Sequence, residues 1–423
     1  MKRFLRLLLP SALCLLPFFS LYAQTEIRPE IRKEQAMSIV RIAVPRPLGA
    51  PLDLIEQPFF APLTRDLAAS GVFAIAPIPP NLPPNADLLK EANAEFLLNL
   101  KVTQQGEDFL VDATLYDTTG VSQQFRPRRY RGVAAALPRI AHTLAGDLVH
   151  DLTGKPGIFL SRLAFASNRS GHWEIWLMDW DGSNQQQITR HNQLAILPSW
   201  SPDNDRMAYT LFSGGRSQIY IINRRGGGRI HVETGVGLNT SAKFSPVGND
   251  IAFVGSVNGN PDIYIIRDDS TNLRRLTTSP SIESTPEWSP NGRQISFTSG
   301  RSGTPQIYLM DSDGTDVQRL SFEGEWNDDS KWSPNGEEVA YTSRVNGRFQ
   351  IRIANVVTKQ SRIVAGEGSN EQPTWSPDGQ WIAFQSNRSG RWQIYRMRTD
   401  GTDLIQLTFD GENKDPDWSK KSE

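Results

Sequence analysis

The residues of this chain best suited to chemistry by type and spacing are carboxylates. Glu283, Glu325, Asp328, Asp329, Glu367, Glu371, Glu412 and Asp415 stand at comparable places in a repeated pattern, each a few residues before an aromatic residue and a serine. Carboxylates brought to a common channel can hold a cation, calcium being the candidate. They also suit a polar, acid-rich binding face, and solvated loops would carry them equally well. A second acidic pattern, Asp179-x-Asp181-Gly182-x-Asn184 and Asp311-x-Asp313-Gly314-x-Asp316, resembles the start of a calcium loop. Such a loop needs a bidentate Glu at its twelfth position, where this chain has Arg190 and Phe322, so hairpin turns explain both runs.

No catalytic set accompanies these acids. The chain contains no Gly-x-Ser-x-Gly elbow, no His-Glu-x-x-His pair and no phosphate loop. Gly226-Gly227-Gly228 reads as a hairpin turn. The histidines, His142, His150, His172, His191 and His231, share no metal-ligand spacing. Neither catalytic residues nor a bound cofactor are expected, and apart from the channel cation no metal is expected.

Charge is near balance, with a formal net charge of -1, which argues against a nucleic-acid partner. Arg126 to Arg131 is the one basic cluster and is interrupted by Pro127 and Tyr130. Residues 1–23 read as a secretory signal: Lys2, Arg3 and Arg6, then a short apolar run broken by Pro10 and Pro17, then Ala23 at the cleavage point. A membrane anchor is the alternative, but the run is short for a span of ~20 apolar residues. Cys14 is the only cysteine and lies in this signal, so the mature protein should lack thiols and disulfides.

The elements that must position the carboxylates are set by internal repetition. Trp200, Phe244, Trp288, Trp332, Trp375 and Trp418 are spaced 44, 44, 44, 43 and 43 apart, and each is followed by Ser. Ser-Pro-Asp/Asn-Gly after the aromatic suits a tight turn, with Pro fixing φ and Gly closing it. Short β-branched and aromatic runs follow in phase, such as Ile295-Ser296-Phe297 and Ile307-Tyr308. Asp181-Gly182, Asp313-Gly314 and Asp400-Gly401 read as hairpins. Four strands in ~40–45 residues make a propeller blade. Leu163-Ala164-Phe165 begins a copy with no leading Trp strand, and Trp418 ends one with nothing after it. These half-copies should join and close the ring. The expected fold is therefore two-domain: a small N-terminal α/β domain, then an all-β six-bladed β-propeller of WD40-like repeats over 160–423.

Residues 37–155 read as the α/β domain. Strands are expected at 39–44, 72–75, 96–102, 109–116 and 122–130, and helices at 53–70 (interrupted by Pro58 and Pro62), 86–94 and 134–152. Residues 24–36 read as a flexible arm.

A secretory signal, a small α/β domain and six Trp-Ser-Pro-Asp-Gly-type blades together resemble the TolB family of the Tol–Pal system. Ile42-Ala43-Val44-Pro45 followed by Leu48-Gly49 also resembles that family's first strand. The resemblance implies a non-enzymatic periplasmic scaffold, monomeric and touching membranes only through partners. It implies that the propeller face binds the lipoprotein Pal through positions matching Leu238, Ser241 and Ser284, with Glu283, Asp328, Asp329, Glu371 and Asp415 on the same face. It implies that the arm, with Glu26, Ile27 and Ile31, engages TolA, and that the system maintains the outer membrane and its constriction at division. Two departures stand out. The second-blade turn is Pro246-Val247-Gly248, and Pro29 in the arm would interrupt strand addition. A propeller-type hydrolase and a secreted ligand-binding propeller are the alternative functions.

Overall fold

The computed structural model describes residues 39–78, 93–117, 127–257 and 259–421. The signal, the arm and residues 86–92 of the helix expected at 86–94 lie outside the described residues, and Asn93 and Ala94 at its end are not helical. No helix among the described residues is long and apolar enough to cross a membrane.

Six four-stranded antiparallel sheets make the propeller. Blade one runs through Leu194–Trp200, Arg206–Ser213, Arg216–Asn223 and Ile230–Val232, and blade two through Leu238–Phe244, Asp250–Val257, Asn260–Arg267 and Arg274–Arg275. Blade three is Glu283–Trp288, Gln294–Ser299, Gln306–Asp311 and Gln318–Arg319. Blade four is Trp326–Trp332, Glu338–Val345, Arg348–Asn355 and Ser361–Ile363; blade five is Asn370–Trp375, Trp381–Ser386, Gln393–Arg398 and Ile405–Gln406. Blade six combines the last strand, Asn413–Trp418, with Arg162–Ser167, Glu174–Asp179 and Gln186–Gln187, in the register Trp418↔Leu163. The ring thus closes non-covalently and leaves no open inner edge.

The repeated residues do identifiable work. In Ser289-Pro290-Asn291-Gly292, the Gly292 N–H donates to Ser289 O at 2.9 Å, and Gly292 takes φ +68°. Ser289 Oγ closes the turn by accepting from Gln294 N–H at 2.9 Å. Blade two, with Val247 in place of Asp or Asn, lacks the side-chain acceptor and leaves Val247 exposed. The motif tryptophans stitch blades together. Trp288 Nε1 donates to Lys243 O, Trp375 Nε1 to Lys331 O and Trp200 Nε1 to Asp417 O, all at 3.0–3.1 Å.

The α/β domain has a sheet ordered Phe73–Ile75, Val40–Ala43, Phe96–Gln105, Asp108–Asp117, Arg128–Val133. The last strand begins at Arg128, later than expected, and 118–126 lie outside the described residues. Pro58 and Pro62 do not break the first helix. A π turn at Glu56–Phe60 absorbs Pro58, and Pro62 sits in the first turn of Ala61–Ala69, where its missing N–H costs nothing. Helix Leu137–Thr153 ends at Gly154 with φ +69°. One apolar core joins the two domains: Leu63, Leu67, Leu144 and Leu148 belong to the same cluster as Phe159, Trp180, Trp381 and Trp418. The α/β domain therefore sits on the face bearing the Trp-Ser-Pro turns, and the described residues of that domain leave the opposite face uncovered.

Candidate partner-binding face

The six innermost strands line a central channel. All six carry a β-bulge at the same place, where the register with the next strand shifts. The bulged residues, Leu197, Ser241, Thr285, Asp329, Gln372 and Asp415, all have φ between +46° and +56°. Non-glycine residues rarely adopt this conformation, and six in one ring are held by their neighbours. Leu197 N–H donates to Asp415 Oδ2 at 3.0 Å, Gln372 N–H to Thr342 Oγ1 at 2.9 Å and Asp415 N–H to Gln385 Oε1 at 2.9 Å. The ring narrows the channel to a cavity of about 40 Å³.

One layer deeper, towards the α/β side, each blade contributes one residue: Ser199, Lys243, Glu287, Lys331, Thr374 and Asp417. Lys331 Nζ lies 2.6 Å from Glu287 and 2.9 Å from Asp417, while Lys243 is 4.0 Å from Glu287. Burial is the largest influence on Lys243, Lys331 and Asp417. At Lys331 the Asp417 and Glu287 charges outweigh it and raise the pKa. Lys243 has no such close acid, and burial with the Lys331 charge lowers it to about 8. The four charges balance within the layer.

At the open mouth stand Asp328, Asp329, Glu371 and Asp415. Burial, then the charges of Asp328, Asp415 and Glu371, push the Asp329 carboxyl well up. Burial also raises Glu371 and Asp415. These residues lie on the innermost strands, not in the loops expected from the sequence; only Glu325, Glu367 and Glu412 lie in the connections before those strands. They do not form a cation cage. Among the described residues no group of three or more His, Cys, Asp or Glu is arranged to hold a metal. Asp328 Oδ1 is already engaged, accepting from Thr298 Oγ1 at 2.6 Å, Thr285 Oγ1 at 3.0 Å and Asp329 N–H at 2.8 Å.

Glu283 requires a correction. It is fully buried, accepting from Arg301 Nη2 at 3.0 Å and Ser299 Oγ at 3.0 Å, and it cannot present a surface to a partner. Its position belongs to a bracing column with Asn239, Asn327, Asn370 and Asn413. Asn370 Nδ2 donates to Glu367 O at 2.9 Å and Asn413 Nδ2 to Asp410 O at 2.9 Å, tying each incoming bend to its strand. Ser241 is likewise buried in its bulge, whereas Leu238 is exposed and Ser284 half-buried. Glu26, Ile27 and Ile31 lie outside the described residues.

The sequence reading missed an exposed apolar arc. Leu194, Leu238, Ile282 and Trp326 occupy one position in four consecutive blades, six residues before each motif aromatic, and are 36–61% exposed. Blades five and six have Ser369 and Glu412 there. Phe212, paired with Leu194 in register, extends the arc. A one-sided apolar arc beside an acidic mouth, on the face away from the α/β domain, is what a protein-docking surface requires. Alignment of the repeats was the signal that could have found it.

The family model for the TolB β-propeller domain matches residues 149–371 and 356–423. The chain belongs to the TolB β-propeller family. The Tol–Pal system protein TolB of Syntrophotalea carbinolica is 33% identical over 214 residues, 48% of this chain and 49% of that protein. A protein TolB homolog of Chlorobaculum tepidum is 32% identical over 243 residues, 52% of this chain and 54% of its own length. The chain thus spans about half the length of the curated relatives it matches. The crystal structure of TolB from Acinetobacter baumannii matches with a TM-score of 0.77 at 26% identity, covering 91% of this chain and 97% of that one. A chain of a nidogen/laminin complex matches with a TM-score of 0.52 at 12% identity, covering 61% of this chain and 98% of its own length, which shows the propeller fold alone. The matching relatives are named as Tol–Pal system proteins TolB or TolB homologs.

Proposed function

We propose that this chain is a periplasmic scaffold of a Tol–Pal system that binds a Pal-like peptidoglycan-associated lipoprotein on the open propeller face. The observation that carries this reading is the arc Leu194, Leu238, Ile282 and Trp326 beside the mouth formed by Asp329, Glu371 and Asp415. Apolar anchors bury against the partner, and the mouth acids select a basic or hydrogen-bonding segment that reaches into the channel. Ser284 and the backbone around Ser241 line the approach between these two parts. The arm, with Glu26, Ile27 and Ile31, engages a TolA-like inner-membrane protein, and the assembly maintains the outer membrane during constriction. The secretory signal at 1–23 and the implied partners support a periplasmic location.

Calorimetry with a purified Pal-like lipoprotein lacking its lipid tests the reading. Wild type is expected to bind, and Asp329→Lys is expected to weaken binding at least tenfold without lowering Tm. Unchanged affinity in that variant removes the mouth from the account. Absence of binding at low salt overturns the proposed partner. Asp329 is chosen over Asp328 because Asp328 braces blades three and four.

A further inference from the structure

A buried charged cluster lies between the α/β domain and the propeller, on the side away from the partner face. His142, from helix Leu137–Thr153, donates through Nδ1 to Asp66 Oδ2 at 2.5 Å; Asp66 comes from helix Ala61–Ala69, and both side chains are almost fully buried. From the propeller, Asp181 faces them across the Asp-Gly hairpin of blade six. Its Oδ2 lies 3.9 Å from His142 Nε2 and accepts from Arg65. Asp179 pairs with Arg162 at 3.3 Å beside it. Arg396 lies between Trp180 and Trp381, 3.9 and 4.5 Å from the two ring centroids. Arg398 donates to Ala69 O at 3.1 Å. Asp66 Oδ1 and His142 Nε2 have no hydrogen-bond partner in this interior.

We propose that Asp66, His142, Asp181 and Arg65 form a proton-sensitive clamp that holds the α/β domain on the propeller. With His142 protonated, an imidazolium stands between a carboxylate of each domain. Without that proton, Asp66 and Asp181 face each other in a poorly solvated seam with Arg65 as the nearest counter-charge, and the seam loosens. The remaining facing charges do not reverse this, because Asp179 is matched by Arg162, while Arg396 is held between the Trp180 and Trp381 rings and pairs with neither Asp66 nor Asp181.

The sign follows from each group. Burial opposes charge on His142, but the hydrogen bond and charge of Asp66, then the charges of Asp181 and Asp179, outweigh it and raise the pKa above 6.5. Its contribution is therefore complete below the ordinary histidine value and is lost as pH rises through the raised folded value. Asp66 is raised, by burial first and against His142, so it acts in the same direction. Asp181 is lowered: burial opposes this, but Arg65 and His142 prevail, so its contribution is lost only in acid. The clamp holds in mildly acidic solution and opens as pH rises through the raised His142 value.

Hydrogen exchange of the full chain from pH 6 to 9.5, corrected for intrinsic rates, tests this. Protection in 61–69 and 179–188 is expected to fall severalfold as pH rises, the sign set by the raised His142 value, while 326–332 stays unchanged. His142→Gln should abolish the step. NMR titration of the His142 ring should show a midpoint above 6.5 that moves down in Asp181→Asn. Protection independent of pH in wild type overturns the clamp, as does a step that persists in His142→Gln. If His142→Gln does not fold, an unmoved His142 midpoint in Asp181→Asn overturns it.

Discussion

The indole N–H of Trp418 donates to Ser161 Oγ at 2.8 Å, joining residues 257 apart in the sequence. Beside this bond, Ser419 N–H donates to Arg162 O at 2.8 Å, and Asn413 pairs with Ser167 at the other end of the strand. The last six-residue strand is therefore the seam of the whole ring. Removing Asp415 onward should lower Tm by about 10 °C, several kcal/mol at a few degrees each. A midpoint within error of wild type would show that the ring does not depend on this seam.

Trp326 is the largest residue of the exposed arc and sits where blade four meets the mouth. Trp326→Ala should raise the Kd for a Pal-like partner by about thirtyfold, ~2 kcal/mol at a hot-spot tryptophan. Thermal stability should barely change, because the ring is 41% exposed. An unaltered Kd would exclude the arc from the interface.

Glu283 should behave in the opposite way. Its carboxylate is enclosed and paired with Arg301, whose guanidinium stacks 5.4 and 5.0 Å from the Phe297 and Tyr308 rings. Glu283→Ala removes the acceptor of Arg301 Nη2 and of the Ser299 hydroxyl, while Arg301 Nε still donates to Ser299 Oγ, and should destabilise by roughly 1–3 kcal/mol. Partner affinity, measured below the new Tm, should stay as in wild type. A loss of affinity with unchanged stability would restore Glu283 to the binding face.

Lys243 sets the alkaline behaviour of the channel. A lysine whose folded pKa is lowered to about 8 binds fewer protons than its unfolded form between there and 10.5. From this group stability rises with pH through that window, and below it the buried charge is a cost. Lys243→Met should therefore raise Tm at pH 7 and remove the rise between pH 8 and 10.5. A lower Tm at pH 7 would mean that the Glu287 and Asp417 charges need both lysines.

Arg396 carries two guanidinium nitrogens, Nε and Nη1, without hydrogen-bond partners, and burial lowers its pKa to about 10. Its contacts are mainly the faces of Trp180 and Trp381. Arg396→Met, of similar length and apolar, should be neutral or stabilising by about 1 kcal/mol, whereas Arg396→Ala should cost about 2–4 kcal/mol through the cavity. Equal losses in both variants, read from denaturant midpoints, would show that the charge itself holds the seam.

The blade architecture, its six-fold count and its closure by the final strand were legible because each rests on local chemistry repeated in phase: a turn needs Ser, Pro and Gly, and strands need β-branched and aromatic residues. Which carboxylates are free was not legible. Glu283 and Asp329 look alike in sequence, yet Glu283 meets Arg301 inside blade three and Asp329 occupies a left-handed bulge at the mouth. That difference comes from how neighbouring blades pack. The exposure of Leu238, Ile282 and Trp326 and the meeting of His142 with Asp181 have the same origin, because burial and partner choice belong to surfaces that exist only once distant segments are in contact.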